Sequence, residues 1–315
     1  MIWVGVARSL GRRLVQALTV AVVVSLLCFT LARFLPGDQA LLIAQRRYGD
    51  DRVSAASGDA VRAELGLDRP ASAQFLDWLG RTLTGDLGTS LVSGAPVRAE
   101  IAHQLGATLI LSTGALGIAL LLGPAFGALA GLRPGGAADR ASLAGAAVFR
   151  AAPSFVLGLL LIVTFAATLG WLPAAGFDEW RNLLLPSAAL GLGLAAASAR
   201  VARDGVVAAM RSPFFAFALL KGLTRAQAVR RHVPRNAAVP LVAYLAVNFA
   251  LLVEGVVVVE EMFAWPGIGH ALAHAIEGRD VPMLQGAALT LGLLFVALNA
   301  ATDLALIAID PRRRS

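Results

Sequence analysis

Residues 105–132 read LGATLILSTGALGIALLLGPAFGALAGL, and this stretch contains no charged residue. A helix needs about 20 mostly apolar residues to cross the hydrocarbon core of a bilayer. The whole chain has a similar character, because 57% of its 315 residues are apolar and only 15% are charged. Soluble domains usually carry about 25% charged residues. The composition therefore predicts an integral membrane protein and excludes a soluble or a disordered chain.

Five further apolar stretches are long enough to cross a bilayer. Barrel strands would show short alternating segments instead of continuous apolar runs, so we expect helices. The predicted spans are residues 14–35, 105–132, 141–170, 182–199, 236–259 and 281–309. The first apolar run is longer than that of a signal peptide, so we expect a retained anchor. The sequence thus predicts an all-α integral membrane protein with six transmembrane helices.

The basic residues predict the orientation of these spans. All but one of the 27 basic residues are Arg, and the formal net charge is +7. Cytoplasmic loops of membrane proteins carry an excess of Lys and Arg. Residues 200–235 hold eight basic residues against the single acid Asp204, and both chain ends are also basic. Six spans with both termini in the cytoplasm place every such loop on the same side.

This topology divides the chain into three parts. Residues 1–35 form the cytoplasmic N-terminus and the first helix, and residues 36–103 form an extracytoplasmic segment. Within that segment, residues 59–67 and 73–83 show apolar residues at helical spacing. Residues 104–315 form a five-helix core with a cytoplasmic loop at 200–235.

The cytoplasmic loop contains signals for two short helices. Ser212 followed by Pro213 favours a helix start, and Gly222 suits the left-handed position that ends a helix. Thr224 caps a second helix, which we expect Pro234 to end. The first of these two loop helices is rich in Phe and Leu. An exposed apolar patch with basic neighbours indicates either a protein-binding site or a helix lying on the inner leaflet.

Short motifs along the chain resemble a known family. They include PGD at 36–38, ELGLDRP at 64–70, GDLGTS at 85–90, KGLT at 221–224, RNAAVP at 235–240, FAWPGIG at 263–269 and DP at 310–311, with Leu172-Pro173, Leu185-Pro186 and Arg279-Asp280 between them. In this order and at these places, they resemble the dipeptide, oligopeptide and nickel permeases of bacterial ABC importers. The resemblance extends over nearly the whole chain.

The resemblance implies a type I ABC importer permease (MetI-like) fold in the bacterial inner membrane. It also implies three partners besides the bilayer: a second, homologous permease, two cytoplasmic ATPase subunits and an extracytoplasmic solute-binding protein. The chain itself would bind no cofactor and no nucleic acid, since ATP and Mg²⁺ are used by the ATPase. The residues implied to couple the chain to the ATPase are Ser212, Pro213, Phe214, Phe215, Ala218, Lys221, Gly222, Leu223, Thr224 and Arg225.

The transported solute is left open by the sequence. Di- or oligopeptides are the leading prediction, and relatives of the family carry glutathione, nickel or a metal chelate. An ion-driven secondary transporter would show inverted repeats and paired broken helices, which are not clear here. An intramembrane enzyme would need a convergent set of reactive residues inside the spans. We therefore expect a transport subunit with no catalytic residue.

One departure from the family concerns the loop helix. Relatives usually have an acidic residue at its start, where this chain has Ser212-Pro213. Polar contacts with the ATPase would then be weaker, and coupling would depend more on the phenylalanines.

Several polar residues outside the loop are candidates for a function. Glu254 is an acid within the fifth span, so it is a candidate pathway residue or a snorkelling carboxylate. Asn299 and Asp303 are expected to form interhelical hydrogen bonds. His270 and His274 share one helical face with Glu277, but the sequence shows no third ligand or outer shell. We expect a solvated loop helix there and no metal site.

Overall fold

The computed structural model describes residues 2–34, 38–49, 54–66 and 68–309 of the chain. These residues are mostly helical and contain no β-strand, which confirms the all-α prediction. The α-helices are α1 (Ile2–Phe34), α2 (Gln39–Tyr48), α3 (Ala55–Leu65), α4 (Ala71–Leu83), α5 (Val97–Leu132), α6 (Ala137–Ala151), α7 (Ser154–Leu161), α8 (Leu184–Met210), α9 (Pro213–Leu220), α10 (Arg225–Gly255), α11 (Val257–Met262), α12 (Ile268–Glu277) and α13 (Val281–Ile309). A π-helix (Ile162–Thr168) continues α7, and a 3₁₀-helix (Trp180–Leu183) leads into α8.

Five of the described helices are long and apolar enough to cross a membrane, and the bent pair of α6 and α7 with its π-helix makes a sixth. The six-span prediction is therefore confirmed, and the last span, 281–309, coincides with α13. The chain divides into two compact units. The first is built mainly from Thr108–Trp265, and the second from Ser9–Ala107 and Pro266–Ala297.

The third span is not the single helix that the sequence predicts over residues 141–170. It bends by 100° between α6 and the helix formed by α7 and its π-helix. Ala152, at the break, has an extended backbone with ψ of 124°. The ring of Pro153 disfavours a helical conformation for the residue before it, so α6 ends there and α7 begins after Pro153.

The fourth span is longer than predicted. Residues 182–199 were expected to form the shortest span, but α8 continues to Met210. The prediction ended the span at the first arginines. The helix continues because Arg203 is neutralised within the fold, where its guanidinium donates to both carboxylate oxygens of Asp139 over 2.8 and 2.9 Å.

The prediction that Pro234 ends a short helix is wrong, because α10 runs on through Pro234 and Pro240. Both prolines are exposed, while the residues that face α8 are buried at intervals of four: Val233, Ala237, Leu241 and Leu245. Each proline removes one backbone donor from the helix. Continuous packing along the buried stripe outweighs these losses.

The first unit depends on a very close contact between α5 and α8. A Cβ atom at Gly127 would lie 2.4 Å from the carbonyl oxygen of Ala199 and 2.6 Å from the Cβ of Ala202. Gly123 and Gly131 on the same face of α5 would meet Ser198 and Val206 at 2.0 and 2.8 Å. Small residues allow helix backbones in a membrane to approach closely, and van der Waals packing then holds the helices together.

The second unit contains the segment that follows α1. The predicted helical pieces at 59–67 and 73–83 correspond to α3 and α4, although Leu67 lies outside the described residues, and α2 was not foreseen. Asp38 caps α2 and pairs with Arg62 of α3. Desolvation would raise the pKa of Asp38, but hydrogen bonds from Arg62 and from the backbone of α2 outweigh it and hold the pKa below its ordinary value.

Two of the quoted motifs meet in this unit. Ser90 of GDLGTS donates its hydroxyl proton to the carboxylate of Asp280, and both residues are buried. The same carboxylate accepts from the backbone N–H of Met283, so Asp280 also caps the start of α13. One polar contact thus attaches the loop before α5 to the last span.

Replacing Gly127 by Ala tests the contact between α5 and α8. The added methyl group has no free space, so we expect the free energy of unfolding to fall by about 1–3 kcal/mol, as for other overpacked sites. Gly117→Ala on the same helix is the matched control, because no described atom lies within 4 Å of its Cβ position. Thermal unfolding in detergent measures both variants. Equal unfolding midpoints would show that α5 and α8 do not pack as described.

Candidate functional site

The cytoplasmic loop forms a sharp turn, which we call the elbow and define as residues 211–235. Its first helix, α9, begins as predicted: Pro213 occupies the first position, and the side chain of Ser212 accepts a hydrogen bond from the backbone N–H of Phe215 at 3.4 Å. This side chain satisfies one of the backbone donors that a helix start leaves unpaired. The start of α9 is therefore fixed by local sequence.

The end of α9 is a Schellman motif. Gly222 has a left-handed backbone with φ of +88°. Its N–H donates to the carbonyl oxygen of Leu219 at 2.9 Å, and the N–H of Leu223 donates to that of Ala218 at 3.2 Å. These two bonds satisfy carbonyl groups at the helix end and reverse the chain at once.

Thr224 then starts α10 through a capping box with Gln227. The hydroxyl of Thr224 accepts from the N–H of Gln227 at 3.3 Å, and the side-chain oxygen of Gln227 accepts from the N–H of Thr224 at 2.9 Å. The predicted cap is confirmed. Since α9 ends and α10 begins within four residues, the elbow leaves little freedom between them.

The elbow helix has one buried face and one exposed face. Phe215 and Ala218 are each 5% exposed and pack in a cluster from α8 and α10, which includes Val206, Ala209, Ala228, Val233 and Ala237. On the outer face, Phe214 and Leu219 are 40% exposed, Phe217 is 57% exposed and Leu220 is 85% exposed. The buried pair anchors the helix, and the exposed set forms an apolar surface.

The elbow also exposes several basic side chains. The Lys221 ammonium lies 4.6 Å from the centre of the Phe217 ring, a cation–π arrangement. The other exposed basic residues of the elbow are Arg211, Arg225, Arg230, Arg231 and Arg235. The elbow thus combines an exposed apolar face with these exposed basic residues, which we call the basic border.

All ten predicted coupling residues lie in the elbow, from Ser212 to Arg225, the first residue of α10. Glu254 belongs to α10, far along that helix from the elbow, and its side chain lies outside the described residues. Asn299 and Asp303 lie one turn apart on α13.

A different buried acid stands out near the end of the fifth span. Glu260 on α11 is 0% exposed, and it accepts a hydrogen bond from the hydroxyl of Thr108 on α5 at 2.6 Å. The sequence offered a signal for it, namely an acid next to the motif FAWPGIG, but sequence reasoning gave it no role. The contact attaches α11 to α5 within the first unit.

The histidines lie on α12. The rings of His270 and His274 are 4.3 Å apart between centres, and His274 Nδ1 lies 3.6 Å from a carboxylate oxygen of Glu277. The expected helix is present, with His274 and Glu277 exposed, and its other face is packed, because Ile268 and Ala271 are buried in a core with Val97, Ile101 and Met283. Apolar residues spaced by three and four along α12 produce this buried face.

The chain is similar to known proteins over nearly its whole length. Residues 123–315 match the family described as binding-protein-dependent transport system inner membrane component, and residues 6–112 match the corresponding N-terminal family. The glutathione transport system permease protein GsiC of Pectobacterium atrosepticum is 37% identical over 303 residues, which cover 96% of this chain and 97% of that protein. GsiC of Escherichia coli strain CFT073 is also 37% identical with the same coverage.

A solved structure shares the fold. The crystal structure of an amino acid ABC transporter with histidines aligns with a TM-score of 0.55 and 19% identity, covering 67% of this chain and 94% of that chain. The fold is thus that of an ABC transporter permease. The chain belongs to the family of binding-protein-dependent transport system inner membrane components. It is a multi-pass inner-membrane permease subunit of an ABC importer, a machinery that in general includes a partner permease, an ATPase and a binding protein.

Gly222→Asp tests the importance of the tight turn and its charge. The Cβ position of Gly222 meets no described atom within 4 Å, so the substitution causes no clash. Asp adds a negative charge beside the basic border and a backbone strain of about 1–2 kcal/mol. We expect solute uptake to be lost while the permease still assembles in the membrane. Uptake by reconstituted transporter and co-purification of the partner permease measure the two effects.

Gly222→Asn is the control for charge, because Asn occupies left-handed positions about as readily as Asp. We expect this neutral variant to keep most of the uptake. If the Asp variant transports normally, the elbow does not transmit movement through this turn.

Proposed function

We propose that this chain forms half of the translocation pathway of an ATP-driven importer for small peptides, with glutathione as the first solute to test. The second half is a homologous permease, so that the two make a heterodimer. Support for glutathione comes from the relatives named for it, which align over 96% of this chain. Glutathione is itself a tripeptide, so this proposal agrees with the peptide solute that the motifs predict.

The proposal places the elbow in a groove of a cytoplasmic ATPase. The observation that carries this step is the division of α9 into an anchored face and an exposed apolar face, with Leu220 85% exposed. Large exposed apolar patches with a polar border mark protein interfaces. A helix lying on the inner leaflet is the alternative, but the elbow's rigid caps and anchored face favour a fixed partner.

In this arrangement the chain binds neither ATP nor Mg²⁺ and catalyses no reaction. Two ATPase subunits hydrolyse ATP, and an extracytoplasmic binding protein delivers the solute. Both termini lie in the cytoplasm, on the same side as the elbow. The arginines of the elbow support this orientation, because basic loops remain on the cytoplasmic side.

Leu220→Glu tests the docking of the elbow. Burying a leucine is worth about 1.5–3 kcal/mol, and 1.4 kcal/mol corresponds to a tenfold change in affinity. We expect about tenfold less ATPase to co-purify with the variant, while the partner permease is recovered normally. Leu83→Glu is the matched control, because Leu83 is 79% exposed on α4 and outside the elbow. Undiminished recovery of the ATPase with the Leu220 variant would assign the elbow to the lipid surface.

Uptake by the reconstituted transporter tests the solute. We expect the complete complex, with its binding protein, to import labelled glutathione when ATP is supplied, and to import free Ni²⁺ no faster than vesicles without protein. Transport driven by an ion gradient without ATP would exclude an ABC importer. Nickel uptake without glutathione uptake would overturn the peptide assignment.

The same assay tests Glu254 as a pathway residue, a role that rests on its position within the fifth span. Glu254→Gln should reduce the uptake of a peptide with a free amino group more than that of its N-acetylated form, because a carboxylate attracts the ammonium group. An unchanged ratio between the two solutes would leave Glu254 as a structural carboxylate.

A further inference from the structure

A polar cavity of about 450 Å³ lies beside the segment that joins the π-helix to α8. The side chains that line it include Trp171, Asp178, Glu179, Arg181 and Asn182. All belong to the first unit. The helix α8 contains 27 residues, so at 1.5 Å per residue about 40 Å of helix separates this cavity from the elbow. The cavity therefore lies at the opposite end of α8.

The segment around the cavity is held in one conformation by several contacts. The N–H of Trp171 donates to the carbonyl oxygen of Phe165 at 2.9 Å, and the N–H of Gly176 donates to that of Phe263 at 3.0 Å. The rings of Phe177 and Trp265 stack edge to face with centres 4.7 Å apart. These contacts fix the backbone of the loop that carries the exposed charged residues Asp178, Glu179 and Arg181.

The charges of this site have both signs. Two acidic residues, Asp178 and Glu179, line the cavity together with the basic residue Arg181, and all three are exposed. Asn182 is 9% exposed and donates one amide hydrogen to the carbonyl oxygen of Ala175 at 2.7 Å. Among the described residues, its second amide hydrogen has no acceptor. This set matches a ligand that carries both an ammonium group and an oxyanion.

The surroundings of the cavity are those of a membrane interface. The helix that leads into it exposes apolar side chains, with Leu160 58% and Val163 49% exposed. Trp171 and Trp180 are 61% and 72% exposed. Tryptophan is enriched at the level of lipid headgroups, where one part of its ring system is apolar and the other is wet. Polar groups at this depth meet lipid headgroups.

We propose that this cavity binds the headgroup of a zwitterionic phospholipid with a primary amine, such as phosphatidylethanolamine. Arg181 and the free amide hydrogen of Asn182 would bind the phosphate, and Asp178 and Glu179 would accept hydrogen bonds from the ammonium group. The acyl chains would lie along the apolar side chains of α7 and the π-helix. A choline headgroup keeps the positive charge but has no N–H to donate, so the site should distinguish the two lipids.

A zwitterionic peptide carries a similar pair of charges. The exposed apolar side chains and tryptophans beside the cavity favour the lipid, because they suit acyl chains and a membrane interface. The inference does not depend on the proposed solute, since it concerns the permease in its membrane. Transport of another solute would leave it unchanged, and its failure would leave the proposed importer function unchanged.

The test uses the complete importer complex purified from vesicles of phosphatidylethanolamine, phosphatidylcholine and phosphatidylglycerol. Native mass spectrometry measures the lipids that remain bound. We expect phosphatidylethanolamine to be retained over phosphatidylcholine, and Arg181→Gln to lower this retention about tenfold through loss of a charge-assisted hydrogen bond. Arg81→Gln is the matched control, because Arg81 is exposed on α4 and outside the cavity.

Asp178→Asn combined with Glu179→Gln is a second variant, which should remove the preference for ethanolamine over choline while the thermal unfolding midpoint stays at the wild-type value. Equal retention of both lipids by the wild type would overturn the proposal, as would unchanged retention in the Arg181 variant. Displacement of the bound lipid by millimolar reduced glutathione would assign the cavity to a peptide and likewise overturn it.

Discussion

The close approach of α5 and α8 is the constraint on which the first unit depends. Glycines on one face of α5 let its backbone lie against Ala199 and Ala202, with no room for even a methyl group at Gly127. Lipid tails are as apolar as leucine, so burial of apolar surface does little to hold membrane helices together. Van der Waals contacts between closely fitting helix surfaces must therefore hold α5 and α8 together. The buried stripe of α10 also packs against α8, so α8 is held by α5 and α10 together.

This central helix connects the two ends of the unit. At one end, Leu185 and Ala189 of α8 pack with Val259 and Phe263, which fixes the segment that bears the polar cavity. At the other end, Val206 and Ala209 of α8 pack against the buried face of α9 in the elbow. The pair of Arg203 and Asp139 also joins this end of α8 to the start of α6. Removing one partner of such a pair leaves an uncompensated charge in the fold. This destabilises a protein more than replacing both partners by apolar residues.

Local signals in the sequence predicted much of this structure, and a contact between distant residues accounts for the error at Pro234. Ser212-Pro213, Gly222 and Thr224 each act through their own backbone, so the caps of the elbow could be read directly. The break at Pro153 had a local signal too, but the apolar composition of residues 141–170 masked it. By contrast, the passage of α10 through Pro234 depends on a stripe that is buried only because α8 lies against it. The cavity beside α8 combines side chains from a loop with no motif, so no pattern in the chain predicted it.

The anchoring of α9 allows the coupling that we propose to work through an apolar contact. Ser212-Pro213 provides no charge, yet Phe215 and Ala218 join α9 to α8 and α10 together. A force applied to the exposed face of α9 must therefore move both long helices, because α9 cannot shift alone without exposing Phe215. The Schellman turn at Gly222 is followed directly by the cap at Thr224, so the connection between α9 and α10 is short and fixed by hydrogen bonds. In the docking that we propose, coupling through this surface would rest on an apolar fit, and the exposed basic residues of the elbow would add attraction to acidic groups of the ATPase at longer range.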